Sequence, residues 1–318
     1  MALFLGIDGG GTGTHALLGD GEGRILARAV AGPSNPTKVG IESAKKELLR
    51  VVHTALRRVS KGGKRGEPRH AVGWPRERRQ EPLLAAVCAG VAGVDRAAVS
   101  RPLLVWLRRA VPARRHLLVT DMAITLHAAL GTAAGMIVES GTGSFAYART
   151  LRGETLRAGG WGATFDDPGS GYDLGRKAIM AGLRDFDGRG EDTVLTSRIC
   201  QALEISNITQ IVMKKLSPQQ VAALFPLVLA AAHEGDRVAR RLCSQAAFDL
   251  AEMALAVGRR LGQRGPVAVV CAGGIFRSSP ALRRRFARDV HQRMPSARVR
   301  LLQREPVEGA LAMARELA

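Results

Sequence analysis

The feature that most constrains this chain is a pattern that occurs twice: a buried strand, a turn of glycine and hydroxyl residues, and two further strands. In the first half "LFLGID" leads into "GGGTGT", and "HALLGD" and "RILARAV" follow with a glycine turn between them. In the second half "GMIVES" leads into "GTGS", and "FAYART" and "ETLRAG" follow. A three-stranded meander at the start of each half predicts two similar domains rather than one large sheet.

Alternating helices and strands follow each meander. Apolar residues spaced three and four apart predict an amphipathic helix over 41–59. The remaining predicted elements of the first half are a strand over 83–93, a helix over 96–110, a strand over 116–121 and a helix over 122–130. Those of the second half are helices over 172–183, 193–203, 217–233 and 236–261, a strand over 267–274, a helix over 280–291, a strand over 299–303 and a helix from 307. Each half is therefore an α/β unit of the order βββαβαβα.

Length and hydropathy bound the class of protein. The 318 residues suffice for about two domains. The N-terminus has no basic leader, and no apolar run approaches the roughly 20 residues of a membrane span, so we expect a cytoplasmic protein without membrane attachment. Three prolines and four glycines among mixed charges predict a surface loop over 60–82.

The charge and cysteine patterns restrict the partners. The formal net charge is +19, but only eight of the 47 basic residues are lysine and aromatic residues make up 4%. Without basic and aromatic residues interleaved, the composition argues against nucleic-acid binding, and the excess charge would attract anionic ligands. Four scattered cysteines form no CxxC pair, which argues against a zinc or iron–sulfur site. Cys88 and Cys271 lie in apolar strand-like runs, so we expect buried reduced thiols.

The two glycine turns are candidate phosphate sites. Glycine lets backbone N–H groups approach an anion, and hydroxyls add hydrogen bonds. The candidate contacts are Gly10, Gly11, Thr12 and Thr14 in the first turn and Gly141, Thr142 and Gly143 in the second. Asp8 ends the first strand and could hold Mg²⁺, directly or through water, on the phosphates. Alternatively, the glycines only form a tight turn that Asp8 caps.

Several motifs in this order resemble one family over nearly the whole chain. They are the phosphate turn at 6–14, "PSN" at 33–35, "TDM" at 120–122, "SGTGS" at 140–144, "GGWG" at 159–162, "DDPGSGYDLG" at 166–175 and "AGGIF" at 272–276. The chain resembles the BadF/BadG/BcrA/BcrD-type ATPase family and, within it, the N-acetylglucosamine and glucosamine kinases of the actin–hexokinase–Hsp70 fold. The resemblance implies two RNase H-like, actin-like ATPase domains with ATP and Mg²⁺ in an interdomain cleft. We expect domains at 1–121 and 122–305, with a helix near 306–318 packing back on the first.

The resemblance also implies roles for single residues. Asp121 matches the catalytic base that accepts the proton of the sugar 6-hydroxyl; a helix N-cap is the alternative. Gly273 and Gly274 match nucleotide-side glycines, which could equally form a strand-to-helix turn. The implied sugar contacts are Asn35, Asp121, Ser144, Phe145, Gly160, Trp161, Gly162 and Asp167. From the residues alone, Asn35 could be a turn residue and Trp161 a core residue.

Three departures from the family pattern stand out. Gly13 occupies a position where the family usually has lysine or arginine, and "GDEGS" is replaced by "DDPGS", with Asp166 and Pro168 as the changed residues. The expected function is an ATP-dependent amino-sugar kinase acting on N-acetylglucosamine, glucosamine or a related hexosamine. The alternatives are an ATPase that activates a partner enzyme and a non-catalytic sugar or nucleotide sensor. Similar kinases are often homodimers, although no sequence feature here marks an interface.

Overall fold

The chain folds into two compact units. The computed structural model describes residues 2–60, 84–262 and 265–318, so the loop predicted over 60–82 lies outside the described residues beyond its first residue. The first unit comprises Met1–Gly131 with Gln303–Ala318, and the second comprises Thr132–Leu302. Among the described residues there is no helix with the length and apolar character that a membrane crossing requires.

The elements of the first unit follow the predicted order, with one short additional helix. They are β1 Leu3–Gly9, β2 Thr14–Asp20, β3 Ile25–Ala31, α1 Pro36–Val39, α2 Ile41–Ser60, β4 Leu84–Val91, α3 Ala97–Ala110, β5 Ala113–Val119 and α4 Asp121–Leu130.

The second unit again begins with three strands. Its elements are β6 Gly135–Ser140, β7 Ser144–Arg149, β8 Thr155–Gly159, α5 Gly171–Phe186, α6 Leu195–Ala202, a 3₁₀ helix Ile208–Met213, α7 Pro218–Ala222, α8 Phe225–Glu234, α9 Arg237–Leu261, β9 Val267–Ala272, α10 Gly274–Ser278, α11 Pro280–Arg293 and β10 Ala297–Leu301. The chain ends in α12 Pro306–Glu316, which belongs to the first unit.

The two sheets have the same topology. The strand order is β3-β2-β1-β4-β5 in the first and β10-β9-β6-β7-β8 in the second. The meander strands pair antiparallel and the later strands pair parallel, so β1 and β6 are the central strands of two mixed sheets. This repetition confirms the predicted α/β fold of two actin-like units.

The unit boundary falls after α4, whereas the sequence placed it before α4. Helices α4 and α12 pack closely because Gly309 of α12 has no side chain: a Cβ there would overlap the carbonyl oxygen of Ile124. At the other end of the pair, His127 Nε2 lies 3.0 Å from Glu316 Oε1. These contacts hold α4 against α12 on the first sheet.

Side-chain alternation along β1 decides where Asp8 points. Leu5 and Ile7 belong to the core that α2 and α3 form, whereas Phe4 packs with Ile124 of α4 and Leu311 of α12. Because alternate residues of a strand share a face, Asp8 projects from the α4 and α12 face, at the carboxyl end of β1. The same face carries the N-terminus of α4.

The predicted helix over 217–233 is wrong as a single element. The structure contains α7, which Ser217 and Gln220 begin with a capping box, and then α8, with Pro226 in its first turn. Proline has no backbone N–H and would break the hydrogen-bond ladder inside a continuous helix, whereas it is tolerated in a first turn. Cys88 and Cys271 are buried free thiols, as predicted.

Candidate active site

The first glycine turn joins β1 to β2. Gly9 and Thr14 form the last pair of the antiparallel strands, and the Gly10 N–H donates to the Gly13 carbonyl at 2.9 Å. Within the described residues, the N–H groups of Gly11 and Thr12 have no backbone acceptor. Two donors at the tip of a turn at a strand end form a suitable site for a phosphate oxygen.

Thr14 anchors this turn from below. Its side chain is buried, and its hydroxyl lies 2.6 Å from the Gly32 carbonyl and 2.8 Å from Ser34 Oγ. Since the hydroxyl is already engaged with two protein groups, it holds the segment after β3 in place and is not presented to a ligand. Gly9 permits this contact, because a Cβ on Gly9 would lie 2.5 Å from Ser34 Oγ.

The "PSN" segment is attached to the same turn. The N–H groups of Ser34 and Asn35 both donate to the Gly10 carbonyl, at 3.0 and 3.2 Å. Asn35 Oδ1 accepts from the N–H and the hydroxyl of Thr37, at 3.0 and 2.8 Å, so Asn35 is the N-cap of α1. The side-chain NH₂ of Asn35 supplies two further donors. Asn35 can therefore cap α1 through its Oδ1 and still donate to a ligand through its NH₂ group.

Asp121 is the first residue of α4. The predicted strand ends two residues earlier, at Val119, and Thr120 is the N-cap, with its hydroxyl accepting from the Ala123 N–H at 3.2 Å. The N-cap reading of Asp121 is therefore wrong, since a threonine hydroxyl takes that position. The carboxylate of Asp121 accepts from the N–H of Met122 at 3.0 Å.

The electrostatic surroundings make Asp121 a weaker acid than usual. Burial raises the pKa of Asp121 to about 6; the charge of Asp95 adds to the rise, whereas the Met122 N–H and Lys38 oppose it. A carboxylate with a pKa near 6 is ionised at neutral pH and more basic than an ordinary aspartate. Such a group is suited to accept a proton from a hydroxyl.

The pKa of Asp8 is raised further than that of Asp121. Burial raises the pKa of Asp8 to about 7, and the charge of Asp121 adds to the rise. The described residues contain no group of three or more metal-ligating side chains. Mg²⁺ is commonly held by one or two carboxylates together with phosphate oxygens and water, and Asp8 beside the first glycine turn fits that mode of binding.

The second glycine turn joins β6 to β7 in the same way. The Gly141 N–H donates to the Gly143 carbonyl at 2.9 Å, one residue tighter than in the first turn. The carbonyls of Gly141 and Thr142 accept from the N–H groups of Gly171 and Tyr172, at the start of α5. In the described part of the chain, the N–H groups of Thr142 and Gly143 have no backbone acceptor, as at the first turn.

Serine hydroxyls anchor this second turn. Ser144, the first residue of β7, is buried and donates to the Pro168 carbonyl at 2.7 Å, and Ser140 donates to the Gly169 carbonyl at 2.7 Å. Ser144 therefore occupies the same structural position as Thr14 and ties down the segment beyond the third strand of its meander. The segment brings Asp167 to the turn, because a Cβ on Gly143 would lie 2.8 Å from Asp167 Oδ2.

The "GGWG" segment leaves the sheet at the end of β8. Gly159, Gly160 and Gly162 all have positive φ, of 72°, 74° and 104°, which explains the three glycines. Trp161 is 62% exposed, so the core reading of this residue is wrong. Its ring stacks under the Arg157 guanidinium at 3.9 Å, and a Cβ on Gly160 would lie 3.1 Å from Phe145 Cβ.

The glycine pair after β9 forms a tight strand-to-helix turn. Gly273 has a φ of 94°, and a Cβ there would overlap the Ser140 backbone. Gly274 begins α10. The interpretation as a strand-to-helix turn is thus correct, and Gly273 lies against Ser140, the last residue of the strand that leads into the second glycine turn.

Sequence reasoning missed Ser34 and Lys38. Ser34 is buried against Thr14, and the side chain of Lys38 lies over Gly11. The signal for Lys38 was the dipeptide Asn35-Pro36, because asparagine as N-cap followed by proline begins a helix. That signal predicts α1, but the proximity of Lys38 to the turn also depends on the hydrogen bonds of Ser34 and Asn35 to the Gly10 carbonyl.

The repeated sheet and turn define an ATPase of the actin-like class, and comparisons with known proteins agree. The chain belongs to the BadF/BadG/BcrA/BcrD ATPase family, whose sequence model matches residues 5–314. This confirms the resemblance seen in the motifs.

Individual relatives are kinases. The chain is 31% identical to an N-acetylmuramic acid/N-acetylglucosamine kinase of Clostridium acetobutylicum, over 99% of both chains. It is 25% identical to an N-acetyl-D-glucosamine kinase of Dictyostelium discoideum, over 98% of this chain and 97% of the relative. A solved structure from Chromobacterium violaceum, assigned as an N-acetylglucosamine kinase, matches with a TM-score of 0.78 and 28% identity over 99% of both chains. The chain is accordingly a kinase, and ATP is its phosphate donor.

Proposed function

We propose that this chain is an ATP-dependent amino-sugar kinase that transfers the γ-phosphate of ATP to the 6-hydroxyl of N-acetylglucosamine or a related hexosamine. The observation that carries the proposal is Asp121, a partly buried carboxylate with a pKa of about 6 on the sheet face that Asp8 shares. Full-length similarity to kinases of N-acetylated amino sugars supports the substrate class.

Asp121 is the proposed general base. It accepts the proton of the sugar hydroxyl while that oxygen bonds to the γ-phosphorus and the bond from phosphorus to the bridging oxygen of ADP breaks. The Met122 N–H holds the carboxylate in position at the start of α4. Placement at a helix N-terminus also favours the ionised form, which is the form that can take a proton.

The turns of both units are the proposed ATP contacts. Gly10, Gly11 and Thr12 offer backbone N–H groups and a hydroxyl, as do Gly141, Thr142 and Gly143, and the Gly273–Gly274 pair supports the second turn. Thr14 and Ser144 act by anchoring the turns. Mg²⁺ held by Asp8 would neutralise charge on the phosphate oxygens.

The proposed sugar contacts come from the "PSN" segment, from the "GGWG" segment after β8 and from Asp167. Asn35 offers its NH₂ donors, Asp167 offers acceptors beside the second turn, and Trp161 presents a ring that can stack on an apolar sugar face. Gly160, Gly162 and Phe145 shape the backbone around that ring.

The test is an ADP-release assay on the purified protein. N-Acetylglucosamine, glucosamine, N-acetylmuramic acid and glucose would be compared with a control without sugar, and 6-deoxy-N-acetylglucosamine would serve as the matched non-acceptor. We expect at least one amino sugar to stimulate ADP release strongly and the 6-deoxy sugar to fail. ³¹P NMR of the product should show a 6-phosphate. ADP release that no sugar stimulates would refute the proposal.

A further inference from the structure

Lys38 lies at the tip of the first glycine turn. A Cβ placed on Gly11 would lie 3.1 Å from Lys38 Nζ, 3.3 Å from its Cδ and 3.6 Å from its Cε, so the side chain runs across this glycine. The residue is exposed and stands in the short helix α1. Its ammonium group is therefore close to Gly11, in the turn where the N–H groups of Gly11 and Thr12 have no backbone acceptor among the described residues.

The backbone that carries Lys38 is fixed to the same turn. Ser34 and Asn35 donate to the Gly10 carbonyl, and the Lys38 N–H donates to the Asn35 carbonyl at 3.0 Å. The Asn35 cap on Thr37 completes the attachment. These hydrogen bonds link the turn directly to α1, so the position of Lys38 relative to the turn is fixed by the backbone.

Lys38 has no ion-pair partner among the described residues. Lys45 and Lys177 form ion pairs with Glu42 and Asp173 at 2.7 Å, whereas Lys38 forms no ion pair in the described part of the chain. It does act on Asp121, since its charge lowers the pKa of that carboxyl against the effect of burial. The same side chain thus lies over the turn and acts electrostatically on the proposed base.

We propose that Lys38 binds the phosphate chain of ATP at the tip of the first glycine turn. A lysine ammonium next to backbone N–H groups is a common arrangement around phosphates. The proposal deepens the proposed function, on which it rests, by assigning the cation that contacts the nucleotide. Lys38 then makes an additional phosphate contact, and its charge opposes the rise that burial causes in the pKa of Asp121.

The proposal accounts for Gly13 as well. A Cβ on Gly13 would lie 3.6 Å from the Ala31 carbonyl oxygen and 3.9 Å from His15 Nε2, which are ordinary contact distances. The turn therefore has room for a side chain at position 13 but does not need a cation there, because Lys38 supplies one from α1. A lysine introduced at position 13 should replace Lys38.

The test measures nucleotide binding without any sugar. Calorimetric titrations with ADP and with a non-hydrolysable ATP analogue, in the presence of Mg²⁺, would compare the wild type with Lys38→Met, Lys38→Arg and Lys38→Met/Gly13→Lys. Lys45→Met is the matched control, because it removes a lysine of α2 that is paired with Glu42. Circular dichroism would show that each variant is folded.

We expect Lys38→Met to weaken binding of the ATP analogue about 10-fold or more, the loss typical of a hydrogen bond to a charged group. Lys38→Arg and the double variant should recover most of this loss, and Lys45→Met should bind as the wild type does. Unchanged affinity in folded Lys38→Met would overturn the proposal. The proposal would also be overturned if Lys38→Met changed only the pH profile of turnover and left nucleotide affinity unchanged. If the wild type binds ATP but phosphorylates no sugar, the proposed function fails, and the binding series still decides the role of Lys38.

Discussion

Burial and the negative charge of Asp121 together raise the pKa of Asp8 to about 7. The two carboxyl groups come from different elements, β1 and α4, and share one face of the first sheet. Because Asp121 has a pKa of about 6, the pair changes its charge across the neutral range. A divalent cation held by Asp8, as proposed, would therefore displace a proton from this pair.

We predict that Mg²⁺-nucleotide binding near pH 7 releases protons from Asp8. Mg²⁺ requires the ionised carboxylate, so the fraction protonated before binding must be lost. Calorimetry in two buffers with different ionisation enthalpies measures the number of protons released per nucleotide bound. Proton release should decrease above pH 8, where Asp8 is already ionised, and should disappear in Asp8→Asn. Equal binding heats in both buffers at pH 7 would contradict the predicted proton release.

Replacing Asp8 should stabilise the ligand-free protein. A carboxyl with a pKa raised from 3.8 to about 7 favours folding less as the pH rises through this interval, because ionisation costs more in the folded state. We expect Asp8→Asn to raise the free energy of unfolding at pH 8 by on the order of 2 kcal/mol and to change it little near pH 4. Urea unfolding at both pH values is the measurement, and an equal effect at both would refute the burial argument. Mg²⁺-ATP binding should weaken in the same variant.

Removing the proposed base should abolish transfer without abolishing nucleotide binding. We expect Asp121→Asn to lower kcat by about 10²–10⁴-fold, with the Kd of the ATP analogue within a few-fold of the wild type. In the wild type kcat should fall as the pH drops below about 6, where Asp121 becomes protonated. Asp166→Asn is a control that removes a carboxylate outside the proposed machinery. Undiminished turnover in Asp121→Asn would refute the assignment.

Alanine substitutions at two glycines with the same φ can distinguish the effect of backbone strain from an effect on sugar binding. Gly40 and Gly93 both have a φ of 80°, but a Cβ on Gly93 would lie 2.7 Å from Asn35 Oδ1, whereas a Cβ on Gly40 meets nothing within 4 Å. Alanine at either position costs about 1–3 kcal/mol of stability through strain. Only Gly93→Ala should also raise the KM for the sugar, because it displaces Asn35. Equal KM values in the two variants would contradict a role of Asn35 at the sugar.

Trp161 should matter for the substrate rather than for stability. With 62% of its surface exposed, its removal costs little packing, so Trp161→Ala should change Tm by no more than a few degrees. We expect the KM for the sugar to rise about 10-fold through loss of the stacking ring. Leu151→Ala, at an 81% exposed leucine of the β7–β8 turn, is the matched control. An unchanged KM in Trp161→Ala would exclude a sugar contact.

Periodicity and glycine placement were enough to predict the two meanders and the place of Asp8 at the end of β1, because strand periodicity and turn chemistry are local properties. The direction of a hydroxyl is not local. Thr14 and Ser144 look like ligand groups in the sequence, but each is buried against a segment that arrives from elsewhere in the chain. Lys38 escaped prediction for the same reason, since its position depends on the Asn35 cap and on the Gly10 carbonyl.

The anchoring of each glycine turn has a consequence for how such a protein can change over time. Thr14 and Ser144 fasten the base of each turn to the scaffold, while the tips differ in length between the two units. Insertions, deletions and new side chains at a tip therefore leave the sheets undisturbed. A sequence built from two similar halves can in this way keep one architecture and let each half acquire its own chemistry.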